Sequence, residues 1–389
     1  MKKTARFFSI VLVVAMLAVC FTACGSTEDK QAGASDTVMI GGIGPLTGDH
    51  ANYGTSNRNG AQMAVEEINA AGGVNGMKLS LDFQDSQADP DSAVNAYGKL
   101  LDSGMNVSLG GTFSGETASI VAAAKQDDMM ILTPTASADK SIAGNDKAFR
   151  VCFTDSSQGT ASADFMADNS LCTKVAVFYQ SDIDYSVGLY NAFKEEAAVR
   201  GIEIVSEQTF TADTSTDFST QIADIKNSGA DLVFIPIYAA EASTLLTQAS
   251  GKLDSNIIYF GCDGLDGILT KLSDASYAEN VMMLTPFAAD APEENVQSFV
   301  SSYKEKYGAT PDQFAADGYD AVYVLKAALE HANITDANDK EFTSKMVAAM
   351  QEITVEGVTG SMTWTADGET RKDAKAMIIH DGVAVLYGA

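Results

Sequence analysis

The chain alternates between short apolar runs and longer amphipathic segments, and this alternation limits it to a few fold classes. Residues 38–43 and 78–84 have the composition and spacing of β-strands, and apolar residues recur at helical spacing between them. Thr55 and Ser56 are candidate caps for that helix, and Gly72 is a candidate stop. The first unit is therefore predicted to be strand, helix, strand, which is the building block of a parallel sheet.

The same alternation continues to residue 132 and starts again at Lys174. In the first half we predict helices at 92–101 and 115–126 and strands at 106–109 and 129–132. After the restart we predict strands at 175–179, 202–208, 232–238 and 257–261, with helices at 185–199, 217–227 and 241–251 between them. Two successive runs of this kind predict two α/β lobes, each a doubly wound parallel sheet.

The last third of the chain is predicted to be mostly helical. A strand at 281–286 is followed by helices at 293–307, 317–331 and 339–351, and then by strands at 361–365, 376–379 and 383–386. Asp381 and Gly382 separate the last two strands, and this pair suits a tight hairpin turn. The three helices need a sheet to cover, so they are expected to pack on one of the two lobes.

The first 23 residues have the layout of an export signal. Two lysines and an arginine precede an apolar run at 7–19, which is shorter than the roughly 20 residues that a membrane-spanning helix needs. The sequence around Cys24 resembles a bacterial lipoprotein box, in which the cysteine becomes the diacylated first residue of the mature protein. We therefore predict a lipoprotein signal peptide at 1–23, lipidation of Cys24 and a flexible tether over 24–36. The alternative is an ordinary secreted protein in which Cys24 is free or removed.

The chain is strongly acidic, with a formal net charge of -27 that becomes -30 once the three cations of the signal are removed. Nucleic acid and anionic lipid surfaces are therefore poor partners. Besides Cys20 and Cys24, the chain contains Cys152, Cys172 and Cys262. Their spacing fits no metal site, and three cysteines allow at most one disulfide. We expect neither a metal nor a cofactor.

Two loops that follow predicted strands carry hydroxyl and backbone N–H groups. Ser114 and Gly115 stand at a predicted helix start, where N–H groups and the helix dipole favour an anion such as a carboxylate. Thr135 and Ser137 follow the neighbouring strand. Because the carboxyl ends of parallel strands face one crevice, the two loops could hold a carboxylate without a cation. The alternative is that Ser114 and Ser137 only cap helices, which is the commonest role of such serines.

The second half offers one acid in an equivalent position. Asp263 follows a predicted strand and could receive an ammonium group, although it could also be an ordinary turn aspartate. Tyrosines beside the candidate loops could wall an apolar ligand side chain and offer a hydroxyl group, but such tyrosines are also common packing residues. These tyrosines are Tyr53, Tyr185, Tyr238 and Tyr319.

Catalytic function is disfavoured by the motifs that the chain lacks. The glycines at 42–44 do not have the full dinucleotide-binding spacing, and no phosphate-binding loop, metallohydrolase helix motif or Gly-x-Ser-x-Gly elbow occurs. The three histidines are scattered, and nothing near Ser114 in the sequence supplies a base to activate its hydroxyl. We predict a binding protein rather than an enzyme, with a hydrolase as the remote alternative.

Several short motifs occur in a fixed order along the chain. They are Gly44-Pro45-Leu46-Thr47-Gly48, Tyr53-Gly54, Gly60-Ala61, Ile68-Asn69-Ala70-Ala71-Gly72-Gly73-Val74-Asn75-Gly76, Asp89-Pro90, Thr133-Pro134 and Phe218-Ser219. In this order they resemble the motifs of the leucine/isoleucine/valine-binding proteins, which are receptors of ABC transporters. The resemblance runs from about Val38 to the C-terminus and is most specific between Gly44 and Gly76. The resemblance implies a type I periplasmic binding fold, with two α/β lobes joined by a three-crossing hinge.

The resemblance also implies where the chain passes between the lobes. The crossings are expected near Asp155, Thr285 and Val355. The resulting division assigns residues 37–155 and 286–355 to lobe I and residues 156–285 and 356–389 to lobe II.

In that family two strand-end loops bind the amino-acid carboxylate, and the matching positions here are Ser114 with Gly115 and Thr135 with Ser137. Asp263 falls on the family's ammonium-binding acid and is one methylene shorter than the glutamate of the branched-chain binders. The pocket aromatics fall on Tyr53, Tyr185 and Tyr238, with Tyr319 as a further match. Asp155 matches a position at the first crossing, which implies a hinge or cleft role.

Taken together, the resemblance implies a monomeric, lipid-anchored receptor outside the bacterial cell membrane. It would bind an amino acid, branched-chain or another small apolar one, between its lobes and deliver it to the permease and ATPase subunits of an ABC importer. Two alternatives stay open: a receptor of the same fold for an amide, an aromatic acid or a peptide, and an amino-acid sensor that signals rather than transports.

Overall fold

The computed structural model of the protein describes residues 36–388. The predicted signal peptide, the lipidation site Cys24 and the tether up to residue 35 lie outside the described residues. Between residues 36 and 388, no helix combines the length and the apolar character that crossing a bilayer requires.

The first part of the chain forms a five-stranded sheet in lobe I. Its neighbouring strands are all parallel and hydrogen bond in the order β2-β1-β3-β4-β5. The strands are β1 (Thr37–Gly44), β2 (Lys78–Asp85), β3 (Val107–Ser108), β4 (Ile131–Thr133) and β5 (Ala148–Arg150). A helix follows each of the first three strands: α1 (Ala51–Ala70), α2 (Pro90–Asp102) and α3 (Ser114–Ala123), respectively. Because helices cover both faces, the inner strands are apolar on both sides and almost fully buried.

The chain then enters lobe II, whose sheet begins with five parallel strands. These are β6 (Lys174–Gln180), β7 (Glu203–Phe210), β8 (Leu232–Phe234), β9 (Ile258–Gly261) and β10 (Val281–Thr285). The helices of this lobe are α4 (Asp155–Asp168), α5 (Asp184–Arg200), α6 (Ser219–Ser228) and α7 (Ala239–Ala249). As in the first lobe, strands and helices alternate along the chain, and the five strands form a parallel sheet with helices on both faces.

After β10 the chain returns to lobe I with α8 (Glu294–Tyr307), α9 (Gln313–His331), α10 (Phe342–Met350) and the short strands β11 (Val355–Gly357) and β12 (Gly360–Met362). Helix α9 packs closely on α1. A Cβ atom on Gly60 would collide with the carbonyl oxygen of Ala315, and one on Gly318 would collide with that of Asn57. These two glycines therefore allow the two helix backbones to approach each other.

The C-terminal hairpin completes the sheet of lobe II. Strands β13 (Lys375–His380) and β14 (Val383–Leu386) are antiparallel, and β13 pairs antiparallel with β10. The full order is β14-β13-β10-β9-β8-β6-β7. Asp381 and Gly382 have φ values of 49° and 72°, as the predicted tight turn requires.

The two-lobed α/β fold predicted from the sequence is confirmed, but three local features differ. Thr55 and Ser56 do not cap α1, because this helix begins at Ala51 with His50 in the N-cap position. Helix α4 and strand β5 were not predicted. Helix α4 has little helical amphipathicity, since its buried face carries mostly polar and small residues, and β5 is only three residues long.

The hairpin of β11 and β12 lies in lobe I, whereas the division predicted from the sequence assigned residues from 356 onward to lobe II. Val355, Met362 and Trp364 belong to the hydrophobic core of lobe I. The indole Nε1 of Trp364 donates a hydrogen bond to the carbonyl oxygen of Arg150, at 2.8 Å, in the last strand of that lobe. Residues 356–364 therefore pack with lobe I rather than lobe II, because the buried indole holds them there. The third crossing of the chain comes after this point.

Candidate ligand-binding cleft

The two lobes contact each other along the carboxyl ends of their strands, and a tyrosine of lobe I bridges them. Tyr53, in α1, is fully buried. Its hydroxyl donates to the carbonyl oxygen of Gly264 at 2.6 Å and accepts from the N–H of Ala239 at 2.7 Å, and both partners belong to lobe II. A second backbone contact joins Gln313 of lobe I, which donates its N–H to Asp266 of lobe II at 2.7 Å.

Lobe I contributes hydroxyl and backbone N–H groups from the two predicted loops. Ser114 is the first residue of α3, and its Oγ accepts from the N–H of Ala138 at 3.1 Å, so it connects one strand-end loop to the other. Thr135 Oγ1 donates to the carbonyl oxygen of Thr112 at 2.6 Å, which adds a second connection. Phe113 occupies the N-cap position of α3. The Ser114 side chain therefore joins the loops instead of capping its own helix.

Lobe II contributes the Asp263 carboxylate, which is held by two side chains. The hydroxyl of Tyr185 donates to Oδ1 at 2.7 Å, and Nε2 of Gln158 donates to Oδ2 at 3.0 Å. Gln158 also accepts from the N–H of Asp263 at 3.2 Å, and the Tyr185 hydroxyl accepts from the N–H of Gly264 at 2.8 Å. Each carboxylate oxygen has an accepting site left, because an oxygen of an ionised carboxylate offers about two.

Burial determines the acid strength of this carboxyl group. Asp263 is 2% exposed, and desolvation raises its pKa to about 6, while the hydrogen bonds from Tyr185 and Gln158 act in the opposite direction. Burial affects the carboxyl group of Asp155 more strongly. Its side chain is fully buried, no hydrogen bond of normal geometry reaches either oxygen among the described residues, and desolvation raises its pKa well above the usual range.

Aromatic rings from both lobes cover the space between these polar groups. Tyr185 and Tyr238 of lobe II stack with centroids 4.6 Å apart and planes 5° apart. Tyr238 also contacts Phe113 of lobe I, with centroids 4.5 Å apart, and Phe113 contacts Tyr53 at 5.2 Å. These rings form an apolar wall that continues from one lobe to the other.

Two chambers lie on either side of this wall. The inner chamber has a volume of about 10 Å³, room for about one water molecule. It is lined by Thr112, Phe113, Thr135, Ser137, Tyr185, Tyr238, Asp263, Gly264 and Phe314. The outer chamber has about 810 Å³, includes Ser114 and Gly115, and carries five carboxylate side chains and no lysine or arginine among the described residues. Since an amino acid is far larger than the inner chamber, it can enter only if the lobes separate or the stacked rings turn.

Eight of the ten predicted ligand-binding residues thus lie around the two chambers of the cleft or on the wall between them. Thr135, Ser137, Tyr185, Tyr238 and Asp263 line the inner chamber, Ser114 and Gly115 line the outer one, and Tyr53 packs on the aromatic wall. Asp155 lies behind them at the start of α4, where its N–H donates to the carbonyl oxygen of Ser137 at 2.9 Å.

Tyr319 is the residue that the structure places elsewhere. Its hydroxyl donates to Glu67 at 2.7 Å, within lobe I, and it lines a separate surface pocket. The reason is its phase on α9, since Phe314 at the start of this helix reaches the inner chamber whereas Tyr319 points toward α8. The predicted role of Tyr319 in the cleft is therefore corrected.

Sequence reasoning missed Phe113 and Gln158. Phe113 directly precedes Ser114, so its place in the loop was a usable signal. Gln158 lies three residues after Asp155, which places both side chains on one face of a helix that was not predicted. The contact between Gln158 and Asp263 joins residues 105 positions apart, and no local pattern reveals such a pairing.

Two α/β lobes with polar strand-end loops facing each other define a two-lobed binding protein of the type I periplasmic class. The model of the periplasmic binding protein family matches residues 37–382. The chain belongs to this family, as its motifs predicted.

Relatives and solved structures agree with that assignment. The Leu/Ile/Val-binding protein homolog 3 of Brucella melitensis biotype 1 is 30% identical over 358 residues, which cover 89% of this chain and 92% of that protein. The branched-chain amino acid transporter substrate binding protein LivJ from Streptococcus pneumoniae str. Canada MDR_19A, solved in complex with isoleucine, is 29% identical with a TM-score of 0.81, covering 90% of this chain and 99% of that chain. A solute binding protein of an ABC transporter from R. palustris, solved in complex with benzoate, shares the fold with a TM-score of 0.81 at 21% identity, covering 90% of this chain and 96% of that chain.

Proposed function

We propose that the protein is an extracytoplasmic receptor of an ABC importer and that it binds a small amino acid between its lobes. The observation that carries the proposal is the buried carboxylate of Asp263 on lobe II, which shares one chamber with the hydroxyl group of Ser137 on lobe I. One side thus attracts an ammonium group and the other a carboxylate. A zwitterion is the ligand class that satisfies both.

Each end of the ligand has a physical reason to bind where we place it. The ammonium pairs with the buried carboxylate of Asp263, which also accepts hydrogen bonds from Tyr185 and Gln158. The α-carboxylate lies at the N-terminus of α3, where Ser114 and Gly115 present N–H groups and a favourable helix dipole, and against the hydroxyl of Ser137. A ligand held in this way contacts both lobes and stabilises their closed arrangement.

The side chain of the ligand packs on the aromatic wall. Phe113, Tyr185 and Tyr238 offer ring faces and no charge, which suits a branched-chain or other small apolar side chain. The named relative and the isoleucine complex at 29% identity support the same class. No covalent step is needed for this function, so the protein acts as a receptor rather than an enzyme.

The proposed function includes a location and partners. A lipid anchor at Cys24 and the following tether would hold a monomeric receptor at the outer face of the bacterial cell membrane. The permease and ATPase subunits of the importer would receive the ligand from the closed lobes. Globomycin-sensitive processing and loss of membrane association in Cys24→Ser would test the anchor.

The ligand class is tested by calorimetry on purified protein that has been unfolded and refolded to remove bound ligand. We expect saturable binding of one group of amino acids, and a higher melting temperature with the same group through mass action. If none of the proteinogenic amino acids binds, the proposed ligand class is contradicted, while the fold assignment is unaffected.

One other ligand class has an observation in its favour. The stacked rings of Tyr185 and Tyr238 could pair with an aromatic acid, and the R. palustris protein of the same fold was solved with benzoate. An aromatic acid lacks an ammonium group, so its affinity should not fall when Asp263 becomes Asn. Benzoate included in the calorimetric series therefore separates the two classes.

A further inference from the structure

A second pocket lies in lobe I, outside the cleft. Its volume is about 370 Å³, within the range of small-molecule sites, and it lies between α1, α8, α9 and β11. It shares no lining residue with either chamber of the cleft. Tyr319, the tyrosine that does not reach the cleft, is part of this pocket. The side chains around it suggest a ligand of a different kind.

A carboxylate in this pocket is oriented by two tyrosines. The hydroxyl groups of Tyr319 and Tyr323 donate to the same oxygen, Oε2 of Glu67, at 2.7 and 3.0 Å. The tyrosines are one turn apart on α9, so their hydroxyls can meet at one atom. No described residue donates a hydrogen bond to Oε1 of Glu67. One oxygen is thus fixed by the protein, and the other is left as an acceptor.

The two tyrosines stay in the form that donates. Burial raises the pKa of Tyr319 and of Tyr323, so both phenols keep their protons at ordinary pH. Two donated hydrogen bonds stabilise the negative charge of Glu67. The arrangement is therefore a fixed anion, which differs from a carboxylate that moves freely at the surface.

Aromatic rings and further acids surround this anion. The ring centroid of Tyr319 lies 4.8 Å from that of Phe299 and 4.8 Å from that of Tyr323, so three rings form one continuous wall. Glu356 and Asp320 bring the number of carboxylates in the lining to three, and no lysine, arginine or histidine of the described chain lines the pocket. Asp320 already accepts hydrogen bonds from the N–H groups of Val358 and Thr359. Aromatic faces combined with carboxylates attract organic cations, through the ring quadrupole and through charge.

We propose that this pocket binds a small organic cation of the alkylammonium type, with the charged group against Oε1 of Glu67 and the carbon chain along Phe299, Tyr319 and Tyr323. The site lies wholly in lobe I, so its occupation does not require the cleft to close. The proposal is independent of which ligand the cleft binds. A purely structural role, in which Glu67 only ties α1 to α9, is the alternative that the experiment must exclude.

The test uses n-butylammonium as the probe and 1-butanol as its uncharged counterpart. Calorimetry and ligand-observed NMR on the purified protein should show saturable binding of the ammonium and none of the alcohol at equal concentration. Glu67→Gln keeps an acceptor for the two tyrosines and removes the charge, and we expect it to weaken the ammonium affinity roughly tenfold or more. The same measurement in Asp263→Asn should be unchanged, because that residue belongs to the cleft.

The neighbouring acid supplies a matched control. Glu66 is exposed and pairs with Lys306, so Glu66→Gln removes the same formal charge beside the pocket without altering its lining. An equal loss of affinity in Glu66→Gln and Glu67→Gln would indicate only general attraction to an acidic surface and would overturn the proposal. So would unchanged affinity in Glu67→Gln, or no saturable binding of n-butylammonium to the unaltered protein. Each of these outcomes leaves the proposed function of the cleft untouched.

Discussion

The two lobes contribute opposite chemistry to the same chamber. Lobe I offers neutral hydrogen-bonding groups, among them the hydroxyls of Thr135 and Ser137, whereas lobe II offers the carboxylate of Asp263. Neutral groups lose their hydration at a small cost in free energy, while burying a carboxylate costs much more unless the carboxylate is paired. The difference means that the carboxylate of lobe II should dominate affinity and pH dependence, and that the hydroxyls of lobe I should set orientation at a smaller energetic cost.

The largest effect is expected from removing the charge of lobe II. Asp263→Asn should weaken amino-acid binding by about 3 to 5 kcal/mol, because the ligand ammonium would be buried without a counter-charge. Asp274→Asn in the same lobe is a matched control, since that carboxylate caps a surface turn. Calorimetry on both variants, with circular dichroism to verify the fold, is the measurement. Equal affinities in the two variants would show that Asp263 is not the ammonium partner.

How far the sequence could predict this chamber also differs between the lobes. The loops with Ser114 and Ser137 follow strands directly, so parallel-sheet geometry was enough to bring them together. The position of Asp263 in a loop was equally visible, but its support was not. Gln158 reaches Asp263 from α4, a helix with weak amphipathicity, and the contact depends on how the chain crosses between lobes. The succession of strands and helices along the chain and the number of lobes could thus be predicted locally, and the helix phase of Tyr319 could not.

A smaller effect is expected from the neutral wall of lobe I. Ser137→Ala should weaken binding by about 1 to 3 kcal/mol, the cost of losing a hydrogen bond to a charged group. Ser156→Ala offers a comparison, because that exposed hydroxyl bonds to Asp139 outside both chambers. A dissociation constant for Ser137→Ala equal to that of the unaltered protein would mean that its hydroxyl does not contact the ligand.

Removing the Tyr53 hydroxyl, which bridges the lobes, should weaken ligand binding by about as much as Ser137→Ala or less. Tyr53→Phe removes the hydroxyl that joins Gly264 and Ala239, so the closed arrangement loses two hydrogen bonds worth roughly 0.5 to 1.5 kcal/mol each. We expect weaker ligand binding and a larger radius of gyration at low ligand concentration, measured by calorimetry and small-angle scattering. Tyr303→Phe is a suitable control, because that ring packs in lobe I away from the cleft chambers. Unchanged scattering and affinity would assign the hydroxyl of Tyr53 to packing alone.

The smallest and most diagnostic effect is the pH dependence. Desolvation raises the pKa of Asp263 to about 6, and a bound ammonium should lower it again, so the complex holds fewer protons than the unbound protein near that pH. The contribution of Asp263 to affinity should therefore be constant above about pH 6 and fall by at most about tenfold per unit below it. Folding stability should change in the opposite sense. A carboxyl whose folded pKa exceeds its unfolded value of 3.8 contributes stability that is present below 3.8 and lost as pH rises through about 6.

Asp263→Asn is the control that assigns these two trends to one residue. Burial also raises the pKa of Glu116, which lines the outer chamber on the side of lobe I, to about 7. If lobe II governs the pH response, the Asn variant should lose the affinity step near pH 6 and retain any weaker step near pH 7. Calorimetric titrations from pH 5 to 8, with thermal unfolding over the same range, measure both quantities. If a step near pH 6 persisted in Asp263→Asn, another group would control the pH dependence of binding. The proposed difference between the neutral groups of lobe I and the carboxylate of lobe II would then be wrong.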